Sequence, residues 1–208
     1  MEAARPGGRA QVVVIGASAG GIEALKRLVN TLPGDFPLPL LVVVHVSPTH
    51  SALPEILSRA GRLPAEHARD GAELAGGRIY VAPPDCHVLV GDGSVHVARG
   101  PKDHGHRPAI DPTFKTAAAE YGPGVVGLVL TGALDDGSAG LAAVKDAGGL
   151  TAVQDPEEAP YPAMPASAIA AVQPDYVLTI EGLGALLVKI GAETSHAEPS
   201  LLPEEQPS

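Results

Sequence analysis

Three side-chain types that could share one reaction stand directly after apolar runs in this sequence. Ser18 lies in Gly16-Ala17-Ser18-Ala19-Gly20-Gly21, which follows "QVVVI" (11–15). His45 closes "PLLVVVH" (39–45), and Asp135-Asp136 come shortly after "VVGLVLT" (125–131). A serine hydroxyl, an imidazole to take its proton and a carboxylate to orient the imidazole are the parts of a nucleophilic hydrolase. The spacing G-x-S-x-G (16–20) suits a tight strand-to-helix turn that exposes a serine beside backbone N–H groups able to hold an oxyanion. A helix start also attracts phosphate. A dinucleotide fingerprint, however, needs glycine where Ser18 stands, and a P-loop needs a lysine, the first of which is Lys26. Either aspartate could instead cap the helix that follows it. The residues alone leave a Ser-His-Asp hydrolase and a small-ligand-binding domain both open.

The elements that must position these groups alternate along the chain. The apolar runs 11–15, 39–45 and 125–131 read as strands buried on both faces, and 77–82, 150–154 and "DYVLT" (175–179) as further strands. Ile22, Leu25, Leu28, Val29 and Leu32 recur at helical spacing. Further helices are expected from near Ser51, from Asp111 to about Tyr121 with Asp111-Pro112 as N-cap and N1, and over 136–147, 165–172 and 182–190. "HVLVGDGSVHVA" (87–98) reads as a hairpin. The expected fold is α/β: a doubly wound, mainly parallel sheet with helices on both faces and an antiparallel hairpin. In such sheets, sites form beyond the carboxyl ends of the strands. Ser18, His45 and the aspartate pair all fall there.

Composition bounds the rest. In 208 residues the net charge is −10, against a nucleic-acid surface, which needs clustered Lys and Arg. No apolar run reaches the roughly 18 residues of a membrane span, and "MEAARPGGRA" lacks a secretory signal's apolar stretch. One cysteine, Cys86, allows no intrachain disulfide. The expectation is a cytoplasmic protein with one domain over 11–190. Residues 1–10 and an acidic tail over 191–208 are expected to be disordered, the tail holding four Glu and no Lys or Arg. Leu201-Leu202 is a conceivable partner motif, but a solvated tail is the simpler reading.

Six segments in order carry a resemblance: IGASAGGIEAL (15–25), VVVHV (42–46), IYVAPPDCHV (79–88), HRPAIDPTF (106–114), LTGALDDGSAGL (130–141) and MPASA (164–168). Together they resemble the catalytic domain of CheB, the chemotaxis protein-glutamate methylesterase family. The resemblance implies a serine hydrolase that demethylates glutamate γ-methyl esters on the helical signalling domains of chemoreceptors, with glutamine deamidation open to the same route. Ser18 would be nucleophile, His45 base and Asp136, immediately before Gly137, the orienting acid. The backbone N–H groups of Ala19 and Ala133 would form the oxyanion hole, and no metal or organic cofactor would be needed. Chemotaxis members carry threonine and methionine where this chain has Ala19 and Ala133. They usually also carry an N-terminal receiver domain, whereas ten residues precede Gln11 here. Control by a separate regulator, constitutive activity or a non-standard pathway is then expected. A CheB-like binding module without strong catalysis is the alternative, and a nucleotide or phosphosugar binder a more distant one.

Other residues have competing readings. Arg107 could bind a substrate carboxylate, order the site loop or form a surface ion pair; Met164, in the last matching segment, could border the substrate. The loop "QDPEEAPYPA" (154–163) is expected to be solvated, but it leads into Met164. Cys86 beside His87 is expected to be structural. His45, His50, His87, His104 and His106 show no recognised zinc-ligand spacing. Asp111 reads as a helix cap rather than an acid.

Overall fold

Alternation within the first strand shows how one sheet is covered on both faces. In β1 (Val12–Ala17), Val13, Ile15 and Ala17 enter one apolar cluster, while Val12 and Val14 enter another. All five are buried, as expected of a central parallel strand. The computed structural model describes residues 11–45, 49 and 51–195; the expectations for 1–10, His50 and most of the tail lie outside these residues.

The remaining elements follow in chain order: α1 (Gly21–Thr31), β2 (Leu40–Val44), α2 (Leu53–Ala60), β3 (Ala65–His67), β4 (Ile79–Val81), β5 (His87–Gly91) and β6 (Ser94–Ala98). Then come α3 (Ile110–Tyr121), β7 (Val125–Val129), α4 (Ser138–Asp146), β8 (Leu150–Gln154), α5 (Ala163–Val172), β9 (Tyr176–Leu178) and α6 (Ile180–Ser195). Seven strands form one sheet in the order β3-β4-β2-β1-β7-β8-β9, and every pairing is parallel. Helices α1, α2 and α6 cover one face through Leu25, Leu28, Leu53, Leu57, Leu183 and Leu187. Helices α3, α4 and α5 cover the other through Phe114, Leu141 and Met164, among others. The expected α/β architecture is therefore present.

Strand order reverses at the centre. The chain builds outward from β1 through β2, then returns to place β7 on the other side of β1. Crevices for ligands open at such reversals. The hairpin β5-β6 is a separate antiparallel pair. It lies against α3, where the Thr113 hydroxyl donates to Val88 O (2.6 Å) and Val90 N–H donates to Thr116 Oγ1 (3.1 Å).

Three elements differ from expectation. Edge strand β3 is only Ala-Glu-His and half-buried, too short and too polar to show as an apolar run. Helix α6 runs on to Ser195 because its far end still packs: a Cβ on Gly191 would stand 2.9 Å from the Phe36 ring, and Thr194 is buried. Helix α3 starts at Ile110 with Ala109 at its N-cap, so Asp111 lies inside the first turn and does not cap its own helix. No helix among the described residues is long and apolar enough to cross a membrane.

Candidate active site

The turn after β1 is held in shape before any chemistry is considered. Ser18 N–H donates to Thr131 O (3.0 Å), and Gly21 N–H returns to Ser18 O (2.8 Å). Gly20, at φ +75°, makes the reversal into α1, a conformation in which other residues are strained. Thr131 binds the neighbouring segments together. Its hydroxyl donates to Ala19 O (3.1 Å) and accepts from Tyr161 N–H (3.0 Å), while its own N–H donates to Gln154 Oε1 (2.8 Å). A Cβ on Gly132 would fall 2.7 Å from Met164 Sδ and 2.9 Å from Ser18 Cβ, so only glycine fits between them.

His45 follows β2, where its N–H donates to Ala17 O (3.4 Å). Ser18 Oγ lies 3.0 Å from His45 Nδ1, and His45 Nε2 lies 2.7 Å from Asp136 Oδ2. Both side chains of the second pair are shielded, at 9% and 2% exposure. An ionised carboxylate can only accept, so the Nε2 proton faces Asp136 and Nδ1 is left to accept from the serine hydroxyl. The His45 ring stacks on His106, with centroids 3.7 Å apart and planes 4° from parallel.

Asp136 also receives Ile110 N–H at Oδ2 (2.8 Å) and Asp111 N–H at Oδ1 (3.0 Å). It thus closes the first turn of α3, where the helix dipole favours negative charge. Asp111 in turn receives Gly137 N–H (3.0 Å) and Gly140 N–H (2.6 Å), both at Oδ1, and closes the first turn of α4. Helix α3 thus carries a cap for α4, and the turn just before α4 carries one for α3. Burial pushes the Asp136 carboxyl up, but His45 and the two backbone N–H groups outweigh it and hold the pKa below the usual value. Burial instead prevails at Asp111, aided by the charge of Asp136, and raises its pKa.

The structure brings Ser18, His45 and Asp136 together, with Ala19 and Ala133 adjoining. Among the described residues, the N–H groups of Ala19 and Ala133 donate to nothing. Asp135 stays outside, its side chain 65% exposed. Arg107 is committed elsewhere: Nε and Nη2 donate to Asp85 Oδ1 (2.9 and 2.6 Å) and Nη1 to Gly100 O (2.6 Å), so it orders the loop before α3. Met164 is fully buried and its N–H donates to Gly132 O (3.0 Å). Its place is therefore beneath the turn, not at a substrate surface. The loop 154–163 borders the site through Tyr161, whose carbonyl accepts Gly132 N–H (3.0 Å).

His87 is buried, donates to Pro101 O (2.8 Å) and accepts Ala109 N–H (3.3 Å); Cys86 is a free, half-buried thiol just before β5. No three His, Cys, Asp or Glu side chains among the described residues are grouped to hold a metal ion. Sequence reasoning missed the roles of His106, Thr131 and Gln154. His106 and Thr131 lie within the segments 106–114 and 130–141, but nothing in their spacing marks a ring stack or a backbone clamp.

Comparison with known proteins assigns the chain to a family. A family model described as CheB methylesterase matches residues 13–187. A protein of Leptospira interrogans with the provisional name protein-glutamate methylesterase/protein-glutamine glutaminase is 38% identical over 182 residues, covering 86% of this chain and 94% of that one. "Protein-glutamate methylesterase/protein-glutamine glutaminase 3" of Anaeromyxobacter dehalogenans is 40% identical over 178 residues, covering 84% of this chain but 52% of that protein, so the chain spans about half its length. The crystal structure of the Thermotoga maritima CheB methylesterase catalytic domain superposes with a TM-score of 0.83 at 33% identity, covering 87% of this chain and 98% of that one. By sequence and by fold, the chain belongs to the CheB methylesterase family.

Proposed function

We propose that this chain hydrolyses glutamate γ-methyl esters on the helical signalling domain of a chemoreceptor-type protein. Ser18 Oγ attacks the ester carbonyl carbon as His45 Nδ1 takes its proton. Asp136 stabilises the imidazolium through Nε2–H and holds the ring in the tautomer that leaves Nδ1 free. The oxyanion is received by the N–H groups of Ala19 and Ala133. His45 then returns the proton to the departing methoxide, and methanol leaves an acyl-serine. Water, deprotonated by His45, attacks the acyl-serine, and His45 returns that proton to Ser18 Oγ as the glutamate leaves. A glutamine side chain entering the same route would lose ammonia instead, which makes deamidation a second activity of the same residues. No step requires a metal or organic cofactor. The cytoplasm is the fitting compartment.

The observation that carries this reading is the hydrogen-bonded chain Ser18–His45–Asp136, at 3.0 and 2.7 Å, where strand order reverses. The test is methanol release from a radiolabelled, methylated receptor signalling domain. Wild type is expected to release label, and Ser18→Ala to lose on the order of 10³-fold or more in kcat. The double variant Ser18→Ala/His45→Ala should be little worse than either single one, because the residues act as a unit. Label release by Ser18→Ala at the wild-type rate would remove the serine from the chemistry.

A further inference from the structure

Leu134 sits at φ +67°, the left-handed region that a leucine side chain disfavours, and no packing compensates, since the residue is 64% exposed. Neither folding nor burial accounts for it. It follows Ala133, and two residues earlier Gly132 presses against Ser18. Six large hydrophobic residues are exposed among the described residues, and three of them lie on the segments that meet at the Ser18 turn. Tyr161 is 50% exposed, with its ring edge 3.3 Å from where a Cβ on Gly20 would stand and its carbonyl on Gly132 N–H. Ile22 is 38% exposed in the first turn of α1, four residues after Ser18. The other three, Tyr176, Val177 and Val188, lie in β9 and α6. Isolated exposed apolar residues are ordinary on any surface; a strained one on a segment beside a nucleophile, with two more on the segments that adjoin it, is not.

We propose that Leu134 and Tyr161, with Ile22 beside them, form an apolar rim that selects ester-bearing glutamates flanked by apolar side chains on the surface of the substrate helix. The proposal rests on the reading that a protein glutamate ester is the substrate, and it adds what must surround that ester. A small ester would reach Ser18 without touching the rim. A helix would lay the residues four positions before and after the ester on the same face, within reach of Leu134 and Tyr161.

The test uses two synthetic helical peptides, each with one glutamate γ-methyl ester, bearing leucine at both i−4 and i+4 in one and glutamine in the other. The readout is the ratio of kcat/KM for the two peptides on one enzyme preparation, so any loss of active fraction cancels. Wild type is expected to favour the leucine peptide by about tenfold, the scale of a single methylene in an apolar pocket. Leu134→Asn keeps a residue that tolerates the left-handed conformation while removing the apolar surface, and Tyr161→Ser removes the ring. Each should lower the ratio to about twofold or less. A wild-type ratio near one with brisk turnover, or a ratio unchanged in both variants, overturns the rim alone. A wild type that hydrolyses neither peptide, nor a methylated receptor domain, overturns the reading beneath it and the rim with it.

Discussion

Asp136 and Asp111 begin from the same position. Each is a carboxylate with 1% exposure, set against the first turn of a helix from a neighbouring part of the chain. Burial pushes both pKa values up, yet Asp136 ends below the ordinary value and Asp111 above it. The difference lies in the number of donors and where they sit. Asp136 uses both oxygens, for His45, Ile110 N–H and Asp111 N–H. Asp111 uses one oxygen for two N–H groups, and its other oxygen has only the Lys115 ammonium at 3.6 Å and the His104 ring nitrogen Nε2 at 3.9 Å. A helix start is enough to accommodate a buried carboxylate; holding its pKa below the ordinary value takes an imidazole as well. The fold keeps full negative charge at the one place where a cation must form during the proposed reaction.

The sharpest way to break this contrast is to neutralise each member. Asp136→Asn offers one acceptor where two are used. With its oxygen toward His45 and Ile110, its amide faces Asp111 N–H, donor against donor. Unfolding free energy is expected to fall by about 1–3 kcal/mol. The kcat should fall on the order of 10³–10⁴, because an amide stabilises the imidazolium poorly and can select the wrong tautomer. Ester turnover and urea midpoints measured on the same protein check both. A turnover within tenfold of wild type would show that His45 does not depend on this charge.

His106 supplies the next effect. Its pKa is lowered by burial and by the neighbouring His45, so it meets His45 as a neutral ring. A stacked ring pair is worth about 0.5–1.5 kcal/mol, so losing it should cost up to about tenfold in kcat if the stack fixes the plane of His45. His106→Ala is expected to show that loss. His106→Phe, which keeps the stack and removes the second titrating group, should recover to within about threefold of wild type. Equal impairment in both would assign His106 a polar role in place of a positioning one.

Asp111→Asn should act on stability more than on rate. Its amide oxygen can still accept from Gly137 and Gly140, because both donate to the same oxygen. What disappears is a titration. A carboxyl whose folded pKa is raised binds its proton more tightly folded than unfolded, so its contribution to stability falls as pH rises from the ordinary value of 3.8 through the raised one. Across that window Asp111→Asn is expected to gain stability relative to wild type as pH rises. The depressed carboxyl of Asp136 behaves oppositely: its contribution is present above 3.8 and lost as pH falls through its folded value. Urea unfolding of wild type and Asp111→Asn from pH 4 to 7 checks this, and a constant difference between them would contradict it.

The three side chains that meet at 3.0 and 2.7 Å were legible because strands write themselves plainly here. Apolar runs marked β1, β2 and β7, and a parallel sheet delivers the residues just after its strands to one edge. The ordered segments then chose Asp136 over Asp135. What the sequence hid was contact across elements. Asp-Pro at 111–112 looks like a local cap because capping is usually local; here the caps are exchanged between α3 and the turn leading into α4, and no spacing within either segment records that. Met164 looked like a substrate neighbour because it lies in a matching segment, but fully buried residues match for packing reasons too. The stack of His106 on His45 spans 61 positions between two loops, beyond any periodicity. Strand β3 failed for a simpler reason: three half-buried residues carry no pattern.

The smallest expected effect tests the same assignment from the other side. Asp135 precedes Asp136 in the chain and is nearly its opposite in setting. Its side chain is 65% exposed, and the His104 ring nitrogen Nδ1 lies 3.8 Å from its carboxylate. Exposed pairs of this kind contribute about 0–1 kcal/mol. Its structural contact is made by the backbone, since Ser138 N–H donates to Asp135 O (3.1 Å) at the start of α4, and a side-chain change leaves that bond in place. Asp135→Asn removes the same charge by the same isosteric change as Asp136→Asn, one residue away. It should alter kcat by about threefold or less, within the range of an exposed ion pair. If acidity near His45 acted only as a general field, the two variants would be impaired alike. If Asp135→Asn were crippled and Asp136→Asn nearly normal, the orienting acid would be Asp135 and the 2.7 Å contact at His45 Nε2 would have no catalytic consequence. A loss of several hundredfold or more that falls on Asp136→Asn alone ties catalysis to the carboxylate in direct contact with His45.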